Sequence, residues 1–190
     1  LEQGFGTEKI EEDLKAFFPT ALVARMDMDT AKTKLAYENI IHDFEERKID
    51  ILVGTQMITK GLDFDNIALV GVLNADSLLR YPDLRANERA FQLLTQVSGR
   101  AGRRAKKGKV IIQTYNPSHP VIIETMHHLY DRFFIRESGE RKMFRYPPYF
   151  RMMQIELLHK NSGTVTHAAA IFANNITQLI GNRLIGPAIP

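Results

Sequence analysis

Two glycines and two arginines alternate with a spacing that would let the arginine side chains bind one polyphosphate. In the segment QVSGRAGR, Gly99 and Gly102 each stand near an arginine, Arg100 and Arg103. Glycine lets the backbone approach a ligand closely, and two guanidiniums three residues apart can hold one polyphosphate. A guanidinium can also stabilise charge on a transferring γ-phosphoryl group, the arginine-finger role. The pattern indicates phosphate chemistry, although an ion-pair cluster at a helix end fits the spacing equally well.

A second candidate site follows a predicted buried strand. Within residues 51–70, ILVGTQMITKGLDFDNIALV, the strand ends at Gly54 and the polar pair Thr55-Gln56 follows. The segment Lys60-Gly61-Leu62-Asp63 comes next. Ligands of open α/β sheets bind outside the carboxyl ends of the strands. The position of this turn therefore predicts a ligand-binding loop.

A basic cluster extends from the arginines toward the next predicted strand. Six of the ten residues from 100 to 109 are basic: Arg100, Arg103, Arg104, Lys106, Lys107 and Lys109. Such a cluster can bind nucleic-acid phosphates without sequence preference and with strong salt dependence. The segment Lys106-Lys107-Gly108 fits a solvated turn into a strand equally well. We expect weak binding of single-stranded DNA through this region.

Predicted helices and strands alternate over residues 1 to about 117. Acidic residues begin a short helix, TEKIEEDLKAFF, which ends at Pro19. The strand ALVARMD precedes an amphipathic helix over about residues 31–48, capped by Asp29 or Thr30. The apolar stripe of that helix comprises Tyr37, Ile40, Ile41 and Phe44.

The later part of this region continues the alternation. The run IALVGVLNAD is typical of a strand buried on both faces. The segment LRANERAFQLLTQVSGRAGR is predicted to be helical up to its glycines, and it precedes the strand KVIIQTY. The whole pattern predicts an α/β fold with a mostly parallel sheet covered by helices.

The pattern changes after Asn116-Pro117. We predict a helix over about residues 119–142, a break at Tyr146-Pro147-Pro148, a strand MMQIELLHK and a final helix. The stripe of the final helix comprises Val165, Ala169, Phe172, Ile176 and Ile180. About 40 residues are too few for an independent core, so this tail is expected to be a truncated domain. Leu1 is not an initiator methionine, and we expect the chain to be a piece of a larger protein.

Composition excludes several classes of protein. The chain has 190 residues, 44% of them hydrophobic, and no cysteine, which excludes a disulfide framework, a thiolate zinc site and a cysteine nucleophile. No apolar run approaches the roughly 18 residues of a membrane span, and the segment LEQGFGTEKIEEDL lacks the charged-then-apolar order of a signal peptide. The cytoplasm is therefore the expected location. A net charge of +3 is too small to indicate nucleic-acid binding without a local cluster.

At the two candidate sites the sequence resembles a known family. TQMITKGLDF and QVSGRAGR are similar to motifs V and VI of superfamily 2 helicases, which lie on the second RecA-like lobe. The resemblance extends in order through GFGTEKIEEDLKAFFP, RMDMDT, NADSLLRYPDLRANERAFQLLTQVSGRAGR and RYPPYFRMMQIEL to the primosomal replication-restart helicases. It covers essentially the whole chain.

The resemblance implies an ATP-dependent 3′-to-5′ DNA helicase that restarts stalled replication forks. Residues 1–135 would form the second RecA-like lobe, residues 136–148 a linker, and residues 149–190 the start of a small α+β C-terminal domain. Partners implied are forked and single-stranded DNA, single-stranded DNA-binding protein and other primosome proteins.

The resemblance also implies roles for individual residues. Arg100 and Arg103 would be catalytic, and Thr55 would touch the DNA backbone. The charge of the basic cluster predicts DNA contacts for Arg104, Lys106 and Lys107 as well. The nucleotide-binding residues would be Gln96, Gly99, Gly61 and Asp63.

Half of the ATP site is missing from the sequence. It contains no GxxxxGKT phosphate loop and no acidic Mg²⁺ motif, which lie on the first lobe of such helicases. ATP, Mg²⁺ and the zinc bound by the family's cysteines are therefore expected in the parent protein, with no metal in this chain. We expect the isolated chain to be inactive. The alternatives are a non-catalytic α/β module that docks DNA or replisome proteins, and a nucleotide-binding domain unrelated to DNA.

Other conspicuous residues have structural interpretations. Asp27 and Asp29 could suggest a metal site, but we favour a strand end and helix cap. His127 and His128 are adjacent, so as helical residues they would point to different faces, and we expect surface or packing roles. A solvated helix face with ion pairs is favoured over a DNA-binding face for Arg132, Arg136, Arg141 and Glu137. Packing between lobe and tail is favoured over base stacking for Phe133, Phe134 and Phe144.

Overall fold

The computed structural model describes residues 6–55, 67–80, 83–99 and 108–188. The chain divides into two compact units, Leu1–Glu140 and Arg141–Pro190. The predicted domain limits, with a linker at 136–148, stay a prediction. Within the described ranges no helix combines the length and apolar character needed to cross a membrane.

The described residues of the first part of unit 1 form two helices and one parallel strand pair. The elements are α1 (Thr7–Phe17), β1 (Val23–Met26), α2 (Lys34–Glu45) and β2 (Ile51–Gly54). Strands β1 and β2 pair in parallel, with Val23 opposite Ile51 and Met26 opposite Gly54. Helix α1 has Glu8 in its first turn and Lys15 in its last, which suits the helix dipole.

Helix α2 confirms the predicted apolar stripe but begins later than predicted. Met26 is fully buried and packs against all four stripe residues, Tyr37, Ile40, Ile41 and Phe44. The helix starts after Thr33, whose hydroxyl accepts a hydrogen bond from the Ala36 N–H at 3.1 Å. The prediction that Asp29 or Thr30 caps α2 is wrong, because both lie in a turn closed on Asp27.

The described residues that follow form another parallel strand pair and four helices, the last of which extends three residues beyond the end of unit 1. The elements are β3 (Leu69–Val72), α3 (Asp76–Leu79), α4 (Ala86–Ser98), β4 (Lys109–Ile112), α5 (Pro120–Met126) and α6 (Tyr130–Met143). Strands β3 and β4 pair in parallel, with Leu69 opposite Lys109 and Val72 opposite Ile112. All strand pairs among the described residues are parallel, which confirms the predicted α/β class, although they form two separate two-stranded sheets.

The apolar run of β3 predicts burial on both faces, and this prediction is wrong for the described residues. Its residues alternate between exposed and half-buried, and Leu69 is 56% exposed. Val72 packs on the core formed by Ala75, Leu94 and Ile122, whereas the described residues leave Leu69 exposed. The strand is therefore covered on one face by the described residues.

Helices α4, α5 and α6 pack together through apolar side chains. Phe91 of α4 stacks on Phe133 of α6 with ring centroids 4.2 Å apart, and Ala90 and Val121 complete the cluster. The predicted single helix over residues 119–142 is two helices. The chain turns at His128, which has a φ of 53°.

Unit 2 contains one long helix, α7 (Ser162–Ile180), followed by a short 3-10 helix at Gly181–Arg183. Asn161 caps α7 by accepting a hydrogen bond from the Thr164 N–H at 3.1 Å. The helix ends at Gly181, whose φ of 62° favours glycine. The predicted strand over residues 152–160 is wrong. That segment has no regular structure, since the described part of unit 2 offers it no partner strand.

Candidate functional site

The predicted DNA-contacting residue Thr55 lies at the carboxyl end of β2 and is exposed. Because Met26 and Gly54 are register partners, the next residues, Asp27 and Thr55, leave the sheet side by side. The edge therefore combines an exposed hydroxyl on one strand end with a buried carboxylate on its neighbour.

The Asp27 carboxylate closes the turn after β1. It accepts hydrogen bonds from the Thr7 hydroxyl at 2.5 Å, the Asp29 N–H at 2.9 Å and the Thr30 N–H at 3.0 Å. The Arg25 guanidinium lies 3.4 Å from the same carboxylate. The Thr7 hydrogen bond, with help from the two backbone N–H groups, lowers the pKa of Asp27 to about 2. The predicted role at a strand end is thus confirmed, although the carboxylate caps a turn and α2 is capped by Thr33.

Replacing Asp27 with asparagine is expected to lower the free energy of unfolding by about 1.5 to 3 kcal/mol near neutral pH, because charged hydrogen bonds are lost. A lowered pKa means that this stabilisation is complete above the ordinary value near 4 and is lost as pH falls toward about 2. Urea unfolding from pH 6 to pH 2.5 measures both effects. The control Asp29→Asn removes a side-chain charge that is 80% exposed and should change stability by under about 0.5 kcal/mol. Equal effects of the two substitutions would contradict the assignment.

Helix α4 ends immediately before the arginine motif. Gln96 and Gly99 are both exposed, and the Gly99 N–H donates to the Thr95 carbonyl at 3.0 Å to close the helix. Gly99 has an ordinary helical φ of −70°, and a Cβ there would meet the Thr95 and Gln96 carbonyls at 3.5 and 3.7 Å. Helix geometry alone therefore does not require glycine at this position.

The remaining predicted site residues lie outside the described ranges. They are Gly61, Asp63, Arg100, Arg103, Arg104, Lys106 and Lys107. Their roles stay predictions. Lys109, the last member of the basic cluster, is the exposed first residue of β4 and thus stands at the amino end of that strand.

A buried carboxylate that the sequence did not single out lies beyond β3. Asp76 is 6% exposed and accepts hydrogen bonds from the Tyr115 N–H at 2.9 Å and the Thr114 hydroxyl at 3.1 Å. The Tyr115 N–H, assisted by Thr114, lowers the pKa of Asp76. A carboxylate soon after one parallel strand, with a threonine soon after the next, is the signal that could have indicated this contact.

The predicted solvated basic face on α6 is partly wrong. Arg136 is half-buried and forms a forked ion pair with Glu124, whose side chain is 1% exposed. The two nitrogen-to-oxygen distances are 3.0 and 2.8 Å. Ion pairs with Glu137 and Glu140 confirm the predicted pairing. Arg132 is exposed, and Arg141 donates to the Pro147 carbonyl at 3.3 Å within unit 2.

The structure describes all of the phenylalanines and histidines for which the sequence predicts structural roles. Phe133 packs inside unit 1 on Phe91, and its predicted packing between lobe and tail stays a prediction. Phe134 and Phe144 are each 57% exposed. His127 and His128 are exposed, as expected, but they occupy the turn after α5. Among the described residues no group of three or more histidine, cysteine, aspartate or glutamate side chains could hold a metal ion.

Comparison with known proteins identifies the family. The sequence profile of the helicase conserved C-terminal domain matches residues 7–105, just over half of the chain. The chain belongs to the helicase C-terminal domain family. The match contains Thr55, Gln96 and the arginine motif, whereas the candidate residues Lys106 and Lys107 lie just beyond its end.

Curated relatives extend the similarity beyond the helicase domain. The chain is 46% identical over 187 residues to the replication restart protein PriA of Bacillus subtilis, covering 97% of the chain and 23% of the relative. It is 45% identical to PriA of Synechocystis, covering 97% and 22%, and 40% identical to PriA of Treponema pallidum, covering 97% and 28%. The resemblance to the primosomal replication-restart helicases is confirmed, and the chain spans about a quarter of the length of these relatives.

Proposed function

We propose that the chain is the second motor lobe of an ATP-dependent 3′-to-5′ DNA helicase that restarts stalled replication forks. The observation that carries this proposal is the 40 to 46% identity, over 97% of the chain, to replication restart proteins. The parallel α/β architecture and the position of α4 directly before the arginine motif support it.

In this proposal the lobe supplies half of an ATP site. Arg100 and Arg103 would hold the phosphates and stabilise the charge that develops on the transferring group, with Gln96 and Gly99 at the end of α4 beside them. Gly61 and Asp63 would lie near the nucleotide. When bound, Mg²⁺ would neutralise phosphate charge. Its ligands are proposed to lie on the first lobe, because this sequence contains no acidic Mg²⁺ motif.

The DNA-binding part of the proposal assigns the strand backbone to Thr55 and to the basic residues Arg104, Lys106 and Lys107. The exposure of Thr55 at the carboxyl end of β2 supports this assignment, since ligands of parallel sheets bind there. Single-stranded DNA-binding protein and other primosome proteins are proposed partners, and the cytoplasm is the proposed location. The zinc of the family is proposed to belong to the parent protein, because this sequence has no cysteine.

The purified chain is expected to bind single-stranded DNA weakly, with affinity that falls as salt rises. If three or four phosphates are contacted, the slope of log K against log salt should be roughly −2 to −3. Fluorescence anisotropy of a labelled oligonucleotide from 50 to 300 mM salt measures this slope. The triple substitution of Arg104, Lys106 and Lys107 to glutamine should reduce the slope by about 2.

A matched triple variant tests whether the position of the charges matters. Lys9, Lys15 and Lys48 lie elsewhere in unit 1 and are between 55% and 60% exposed. Their substitution by glutamine removes the same net charge and should leave the slope nearly unchanged. Binding that is indifferent to salt, or equal losses in the two triple variants, would contradict a phosphate contact at the basic cluster.

A further inference from the structure

Strands β3 and β4 continue to exchange hydrogen bonds beyond their carboxyl ends. The Gln113 N–H donates to the Val72 carbonyl at 2.8 Å, and the Ala75 N–H donates back to the Gln113 carbonyl at 3.0 Å. The Gln113 side-chain oxygen accepts from the Asn74 N–H at 3.3 Å. The backbone just beyond this pair of strands is therefore held from both sides.

The buried carboxylate of Asp76 extends this order to Tyr115. Its two oxygens accept from the Thr114 hydroxyl and the Tyr115 N–H, and the Thr114 hydroxyl in turn accepts from the Asn116 N–H at 3.1 Å. Because Asp76 is 6% exposed, these bonds are largely protected from competing water. Hydrogen bonds to its backbone thus fix the position of the segment from residue 113 to 116.

The side chain of Tyr115, in contrast, is 88% exposed. No aromatic pair among the described residues includes it, so its ring packs on no other ring there. An aromatic ring on a fixed backbone loses the freedom of only two side-chain torsions on binding. The conformational-entropy cost of such a contact is therefore small. The exposed residues Asn74, Gln113 and Asn116 lie at this strand end beside the buried Asp76 carboxylate, so its chemistry combines amides with a negative charge.

We propose that Tyr115 is a stacking platform for a nucleobase. A phenol ring offers a π-face to any base, and amide side chains can hydrogen-bond to base edges. Tyr115 follows the carboxyl end of a parallel strand, the side on which α/β sheets bind ligands, as Thr55 does on β2. Amides beside a buried carboxylate suit a neutral base better than a phosphate, which the Asp76 carboxylate would repel. This inference rests on the proposed function and adds to it a contact that the basic cluster cannot make.

Binding to two single-stranded DNA oligonucleotides of equal length, one carrying thymine bases and one abasic, distinguishes base stacking from phosphate binding. Tyr115→Ala is expected to weaken binding of the base-bearing strand to the 190-residue chain by about 5- to 150-fold. Binding of the abasic strand and the slope against salt should not change. Tyr115→Phe keeps the ring and should bind within about twofold of the wild type. Phe17→Ala, which removes a 77% exposed ring at the end of α1, is the matched control.

A fluorescent adenine nucleotide identifies the source of the base. If Tyr115→Ala weakens nucleotide binding and leaves DNA binding intact, the stacked base is the adenine of the nucleotide. If Tyr115→Ala binds the thymine strand and the nucleotide as the wild type does, the proposal is overturned while the proposed function stands. A wild-type chain that binds neither probe would overturn both. The melting temperature of each variant should match the wild type, because the replaced rings are exposed.

Discussion

Replacing Arg136 with alanine is expected to lower the free energy of unfolding by about 3 to 5 kcal/mol. The substitution leaves the carboxylate of Glu124, which is 1% exposed, without the guanidinium that accompanies it in the fold. A buried charge without a partner costs far more than an exposed ion pair gains. Urea unfolding followed by circular dichroism measures the change.

The paired control and the rescue make this prediction specific. Arg85 is 55% exposed and pairs with Glu88 across one helical turn, so Arg85→Ala should cost under about 1 kcal/mol. The double variant Glu124→Leu, Arg136→Met replaces both charges by apolar groups and should recover most of the lost stability. If Arg136→Ala costs no more than Arg85→Ala, Glu124 does not depend on the ion pair.

The expected loss would reach the helix that precedes the arginine motif. Arg136 also pairs with Glu137 at 3.7 Å, and Glu137 accepts a hydrogen bond from the Asn87 side chain of α4 at 3.4 Å. Phe91 of α4 stacks on Phe133 of the same α6. Polar and apolar contacts thus join α4 to α6. The polar contact, between Asn87 and Glu137, depends on the charges around Arg136.

Local patterns in the sequence were enough to predict most helices of unit 1. The stripe Tyr37, Ile40, Ile41 and Phe44 predicted both α2 and the face that packs on Met26, because helical periodicity is a property of neighbouring residues. The break before Pro19 and the strand ending at Gly54 are local signals of the same kind. Thr55 could be placed at a strand end for that reason.

Predictions that depend on distant partners failed. The sequence places Arg136 on the solvated face of an amphipathic helix, but its partner Glu124 lies 12 residues away on α5. Asp29 and Thr30 resemble helix caps, but their N–H groups bind the Asp27 carboxylate, so Thr33 caps α2. Residues 152–160 have strand composition, but composition cannot supply a partner strand.

Replacing Arg103 with alanine in the longer protein, where we propose that this lobe faces a phosphate loop, is expected to lower kcat for ATP hydrolysis by about 10³- to 10⁵-fold. An arginine finger acts on charge that develops in the transition state, so KM should change much less than kcat. Arg103→Lys should not restore the rate, because an ammonium group cannot form the forked contact. Steady-state ATPase assays with single-stranded DNA measure both constants.

Arg89→Ala is the matched control, since Arg89 lies on the same helix α4, is 58% exposed and pairs with Asp83 at 2.6 Å. Its kcat should stay within about twofold of the wild type. The 190-residue chain alone should hydrolyse no ATP, because it contains only the arginine half of the site. Magnesium-dependent turnover by this chain, abolished by Arg103→Ala, would contradict that division of the site between two lobes. A normal rate for Arg103→Ala in the longer helicase would instead favour a lobe that binds DNA without taking part in the chemistry.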